Sequence, residues 1–91
     1  MKSIVLIKNG EEIKRFRIRE AFMVDGFRIL IDYLNENRPT GSFKNSDGSN
    51  DELFKTEDEA FNRAIKYANA CLEVKDKHSL YSIDSYIVKE M

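Results

Sequence analysis

Four arginines carry the strongest chemical pattern in this chain. Arg15, Arg17 and Arg19 recur at every second position. In an extended strand that spacing puts all three guanidinium groups on one face. Arg28 joins them if the chain folds back as a neighbouring strand after Asp25-Gly26. A guanidinium is planar, permanently charged and able to bind two acceptors at once, so four on one surface suit phosphate oxygens or the carboxylates of an acidic protein. The same residues also suit a solvated face in which they pair with Asp32 and nearby carboxylates.

The remaining candidates are weaker. Asn45, Asp47, Asn50 and Asp51 surround Gly48, but a calcium loop needs alternating ligands, glycine at its sixth position and glutamate at its twelfth, and that spacing is absent. The glycines are scattered as turn residues and form no phosphate-cradling motif. Cys71 and His78 are the only soft metal ligands, and one of each cannot build a zinc site within one chain. Cys71 falls on the apolar stripe of a helix and reads as a small core residue with an inert thiol. His78 follows Lys75-Asp76-Lys77 and reads as an exposed connector residue. Their seven-residue offset and the burial of Cys71 argue against a nucleophile–base pair. Glu20 points at the expected core face opposite Ile31. There a raised pKa would make it a general acid, and a partner at the sheet edge or on a helix would make it structural. Tyr33, Tyr67, Tyr81 and Tyr86 read as core and rim aromatics more than as a base-stacking platform. The pattern therefore points to a protein that is not an enzyme, with no cofactor and no metal.

The elements that must hold the arginines follow from alternation. Ser3 to Lys8 is a short apolar strand, and Asn9-Gly10 is a type I′ turn signal because both positions favour φ > 0. A two-residue loop pairs 8 with 11, 6 with 13 and 4 with 15. Along the second strand, 11–24, Phe16, Ile18, Phe22 and Val24 share a face. Along the third, 27–34, Phe27, Ile29, Ile31 and Tyr33 do the same. A two-residue turn at Asp25-Gly26 sets 24 opposite 27, 22 opposite 29, 20 opposite 31 and 18 opposite 33, with Arg19 across from Asp32. The rival is a helix over 20–36, since Phe22, Met23, Phe27, Leu30, Ile31 and Leu34 also fit a 3.6 period. It would carry Gly26 in its interior at about 1 kcal/mol relative to alanine, and it lacks an N-cap. The meander is the better fit.

Residues 35–53 read as a flexible loop, rich in Gly, Ser, Asn and Asp and holding the only proline, Pro39. Thr56 and Glu59 then form a capping box for a helix over 57–74, with Ala60, Phe61, Ala64, Ile65, Ala68, Cys71 and Leu72 as its buried stripe. Glu59 and Arg63 are spaced for an i,i+4 pair. A fourth strand at 80–88 follows from the alternation of Tyr81, Ile83, Ser85 and Ile87, its place in the sheet undetermined.

The expected fold is α+β: a three-stranded antiparallel meander packed by one amphipathic helix, with a C-terminal strand, all in one domain over 1–91. The 91 residues suffice for one modest core. Fifteen basic residues against sixteen acidic ones leave a net charge of −1, which gives no global attraction to nucleic acid or membrane. No apolar run approaches a membrane span, no signal-peptide core is present, and one cysteine fits a reducing compartment, so the expected location is cytoplasmic. In the expected register the arginine face also carries Ile4, Leu6, Ile13, Met23, Leu30 and Leu34. Apolar residues among arginines suit a protein interface. The functional expectation is a small binding module, an accessory subunit or inhibitor, acting through a protein–protein surface of Arg15, Arg17, Arg19, Arg28, Ile13 and Leu30. Self-association or a protein partner would cover it. Nucleic-acid binding by the same arginines is the alternative.

Overall fold

A computed structural model describes residues 2–90. It has five strands and one helix: β1 (Lys2–Lys8), β2 (Glu11–Glu20), β3 (Phe27–Tyr33), β4 (Gly41–Ser42), α1 (Glu57–Leu72) and β5 (Ser85–Glu90). The strands form one antiparallel sheet in the order β4-β3-β2-β1-β5, and α1 packs on one of its faces. The fold is α+β, with the meander β1-β2-β3 at its centre and the C-terminal strand beside β1.

The first turn forms as its residues dictate. Asn9 (φ 54°) and Gly10 (φ 78°) are both left-handed, and Lys8 faces Glu11. The expected register then fails after one more pair. Leu6 faces Lys14, Ile4 faces Phe16, and Ile13 is left without an opposite number, which is a β-bulge. The extra residue reverses which face the rest of β1 presents. Ile4 and Leu6 therefore enter the core beside Phe16 and Ile18, and Ile13 packs at the margin of that core instead of joining the arginines.

The second hairpin differs from expectation by four residues. Phe16 faces Ile31, Ile18 faces Ile29 and Glu20 faces Phe27, so β2 stops at Glu20 instead of residue 24. Ala21 donates its N–H to Gly26 O (2.9 Å) and closes a loop over 21–26. The reason lies outside the hairpin. Phe27 N–H donates to Phe54 O (2.8 Å), and Phe54 N–H returns a bond to Phe27 O (2.9 Å). Gly26 (φ 133°) sits where a Cβ would come within 3.0 Å of Phe54 O. The glycine thus serves a close backbone approach and not a tight turn. A slip of four preserves which side chains share a face, so the even residues of β2 and odd residues of β3 remain core-facing. Phe22, Met23 and Val24 leave the core altogether, at 83%, 86% and 55% exposed, and Met23 adopts φ 65°.

Segment 35–53, expected as a flexible loop, contributes β4 beside β3 and one core ring. Phe43 N–H donates to Ile29 O (3.0 Å), and the Phe43, Phe16 and Tyr67 rings meet edge to face with centroids 5.1–5.7 Å apart. Ala60, Ala64 and Ala68 are fully buried, which lets α1 lie close to the sheet. Its N-cap is Thr56, whose Oγ1 accepts from Glu59 N–H (3.1 Å), while the Glu59 carboxylate reaches Lys55 N–H (3.1 Å). Arg63 pairs with Glu52 (3.4 Å), not with Glu59. The helix ends two residues early, at Leu72.

The C-terminal strand begins at Ser85, not at residue 80. Ser79 and Ser82 make the difference: Ser82 Oγ donates to Lys77 O and Ser79 O (3.1 and 3.3 Å), and Lys8 Nζ donates to Ser79 O (2.8 Å). Hydroxyls that bond nearby carbonyls favour a turn over a ladder. Replacing the N-cap, Thr56→Ala, should cost about 1 kcal/mol of unfolding free energy in a urea titration, with the sheet unchanged by circular dichroism.

Candidate functional site

The face of the sheet opposite α1 carries the arginines. Strand pairing builds it row by row. Leu30, Arg17, Ser3 and Lys89 are cross-strand neighbours, as are Asp32, Arg15, Val5 and Ile87, and Arg19 lies beside Arg28. The structure thus brings together Arg15, Arg17, Arg19, Arg28 and Leu30 from the expected surface. It removes Ile13, which the bulge directs to the core margin. Ile4 and Leu6 are absent for the same reason, so this face is less apolar than their inclusion implied. Its accessible apolar members are Leu30, Ile87 and Ile7, set between charged side chains, while Val5 is buried beneath its neighbours.

The electrostatics centre on two carboxylates. Asp32 accepts from Arg17 through both oxygens (Nε 2.6 Å, Nη2 2.9 Å), from Arg15 Nε (2.9 Å) and from Thr40 Oγ1 (3.0 Å). The bidentate Arg17 contact is the largest influence on its pKa. Burial works in the opposite direction, but Arg15 and Thr40 add to Arg17, and the carboxyl is lowered to about 2. Arg17 is raised by the same contact. Asp51 accepts from Lys44 Nζ (2.8 Å), Ser42 Oγ (2.6 Å) and Arg28 Nη1 (3.0 Å), and these donors, Lys44 first, hold it well below the usual carboxylate range.

Expectation paired Asp32 with Arg19. The four-residue slip gives it to Arg15 and Arg17 instead, and places Arg19 opposite Arg28. Asp51 is not merely a loop oxygen but an anchor for Arg28, brought there by the antiparallel bridge between Lys44 and Asp51. Its signal in the sequence was only that a carboxylate follows Lys44 across an Asn/Gly/Ser turn. Nothing in the local pattern marked Phe22-Met23-Val24 as an exposed tip.

Other candidate residues are dispersed. Glu20 ends β2, is exposed and faces Phe27, not Ile31. Cys71 is buried, and burial pushes its thiol up from its ordinary pKa. His78 is exposed in a turn that its own N–H closes on Asp76 Oδ1 (3.0 Å). Tyr67 packs with Phe16 and Phe43, and Tyr86 Oη donates to Asn69 Oδ1 on α1 (2.9 Å). Among the described residues no three His, Cys, Asp or Glu side chains cluster as metal ligands, and no helix is long and apolar enough to cross a membrane. Set against protein-family models, curated proteins and solved structures, the chain finds no match.

Proposed function

We propose that this protein is a small, non-enzymatic binding module that engages another protein through the open face of its sheet. The observation that supports this reading is the clamping of Arg15 and Arg17 by Asp32. A long side chain normally loses conformational freedom when it binds, and holding it beforehand removes part of that cost. Arginine among apolar residues, here Leu30 and Ile87, is also the composition of protein interfaces. The fitting partner surface presents carboxylates between apolar side chains. The Phe22-Met23-Val24 tip of the same β2-β3 hairpin supplies a second contact, an apolar knob free to enter a pocket. A cytoplasmic setting agrees with the single cysteine.

Phosphate binding is less well supported. Asp32 and Asp51 already neutralise much of the arginine charge, and the whole chain carries −1.

Leu30→Asp and wild-type protein, both immobilised, provide the test. We expect a partner captured by wild type to bind the variant roughly tenfold more weakly, a loss of about 1.4 kcal/mol, with the fold intact by circular dichroism. Titration with a fluorescent oligonucleotide at low salt is the second arm. Tight binding that weakens steeply with salt, and whose slope falls by about one in Arg17→Ala, would replace the protein-binding reading.

A further inference from the structure

The two edges of the sheet differ. At one end, the outer side of β3 is capped: β4 pairs with it, Phe43 N–H bonds Ile29 O, and Phe54 exchanges bonds with Phe27. At the other end, β5 is outermost among the described strands. It runs for six residues in unbroken register with β1 and contains no proline, glycine or bulge. Its charges, Lys89 and Glu90, lie at one end, while Ile87 and Val88 in the middle are 40% and 47% exposed. Edge strands are usually protected by a bulge, a proline or a central charge, because a bare ladder accepts another strand.

Hydrogen-bond alternation shows which ladder groups are free. Leu34 N–H bonds Ile13 O and Ala21 N–H bonds Gly26 O, so odd residues of β2 direct their backbone groups to β3 and even ones to β1. Phe16 and Lys14 face Ile4 and Leu6, which leaves Ser3, Val5 and Ile7 to bond β5 through Lys89, Ile87 and Ser85. Asp84 N–H reaching Ile7 O (2.9 Å) agrees with this assignment. The N–H and C=O groups of Tyr86, Val88 and Glu90 therefore point out of the sheet.

We propose that β5 pairs antiparallel with β5 of a second copy of this chain, about a two-fold axis through Val88, joining two sheets into one. The strand is self-complementary in that register. The free groups are centred on Val88, so Tyr86 meets Glu90 of the second copy, Val88 meets Val88, and every outward N–H faces a C=O. On the arginine face Ile87 comes under the aliphatic stem of the second copy's Lys89. No like charges are opposed, whereas parallel pairing in register would set Lys89 beside Lys89. The two-fold is perpendicular to the sheet, so both helices lie on one side and both arginine faces on the other. This pairing rests on the backbone groups of β5 and not on the arginines; it shares only Ile87 and Lys89, at the margin of that face, with the arginine-face reading.

A single strand–strand contact is at the small end of interface sizes, so the dimer is concentration-dependent. Sedimentation equilibrium from micromolar to millimolar concentration should show the mass rising from 10.6 kDa toward twice that value. Val88→Pro removes only an outward N–H and costs the sheet no ladder bond; it should stay monomeric with an unchanged melting curve. Hydrogen exchange of wild type keeps the proposal testable if that variant does not fold. Raising concentration should slow exchange at Tyr86, Val88 and Glu90 by tenfold or more, and leave Ser85, Ile87 and Lys89, already bonded to β1, unchanged. A wild-type mass that stays at one chain up to millimolar, a folded Val88→Pro that still dimerises, or exchange slowed equally at odd and even positions of β5 would each overturn it. Loss of partner capture in Leu30→Asp with dimerisation intact, and loss of dimerisation in Val88→Pro with partner capture intact, separate the two surfaces.

Discussion

Phe16→Ala should lose about 4 kcal/mol of unfolding free energy, the largest effect expected of any single truncation in this chain. Phe16 is 1% exposed and lies on the central strand of the meander. Its ring meets Phe43 at 5.1 Å and Tyr67 at 5.7 Å, both edge to face. Truncation removes the transfer energy of the ring and leaves a cavity that the surrounding strands cannot fill. Small domains have roughly 5–15 kcal/mol in total, so the variant should be marginal at room temperature. Urea unfolding monitored by circular dichroism measures the loss. Phe43→Ala should lose less, because Phe43 is at the edge of the core, held by the 41–54 segment. The two changes should not add: ring–ring contact contributes about 1 kcal/mol beyond buried area, and the double variant should recover roughly that coupling. A Phe16→Ala loss below about 1 kcal/mol would mean that the three rings do not form one cluster.

The parts of this fold that were legible in the sequence are those decided within a few residues. Asn9-Gly10 specifies its turn because few other pairs take φ > 0 twice. Thr56 and Glu59 specify the helix start because a capping box is local chemistry. Period-two spacing gathered Arg15, Arg17 and Arg19 on one face. What was not legible was decided at a distance. The bulge at Ile13 has no local signature in a strand where Ile13 and Phe16 can each serve a core. It becomes necessary only because Ile4, Leu6, Phe16 and Ile18 must all reach the alanines of α1. The second hairpin had two registers with identical facial segregation, and alternation cannot separate them. Phe54, far along the chain, chooses between them by pairing with Phe27. Asp51 reached Arg28 by the same route, so the site's second anchor was hidden for the reason that the register was.

Asp32→Asn should reduce stability at neutral pH by about 2 kcal/mol and change the acid limb of the stability curve. The carboxylate accepts charge-assisted bonds from two guanidinium groups, and bonds to charged partners contribute roughly 1.5–3 kcal/mol; Arg15 is partly exposed and recovers some hydration when released. The folded-state pKa, about 2, is below the ordinary value of 3.8. A depressed carboxylate contributes stability that is fully present above its unfolded-state pKa and disappears as pH falls through the folded value. Wild-type stability should therefore decline as pH drops from 3.8 toward 2. The variant should show a shallower decline, keeping the part due to Asp51 and Asp47, which are lowered in the same sense. Urea midpoints at a series of pH values measure this directly. The substitution also separates the two roles of the arginines. Freed from Asp32, Arg15 and Arg17 gain mobility and net positive charge. A surface that binds protein through pre-positioned guanidiniums should lose affinity for its partner while its affinity for a phosphate-bearing oligonucleotide rises. If affinity for both rises together, the ion pair is a restraint on the arginines and not the means by which they recognise a partner.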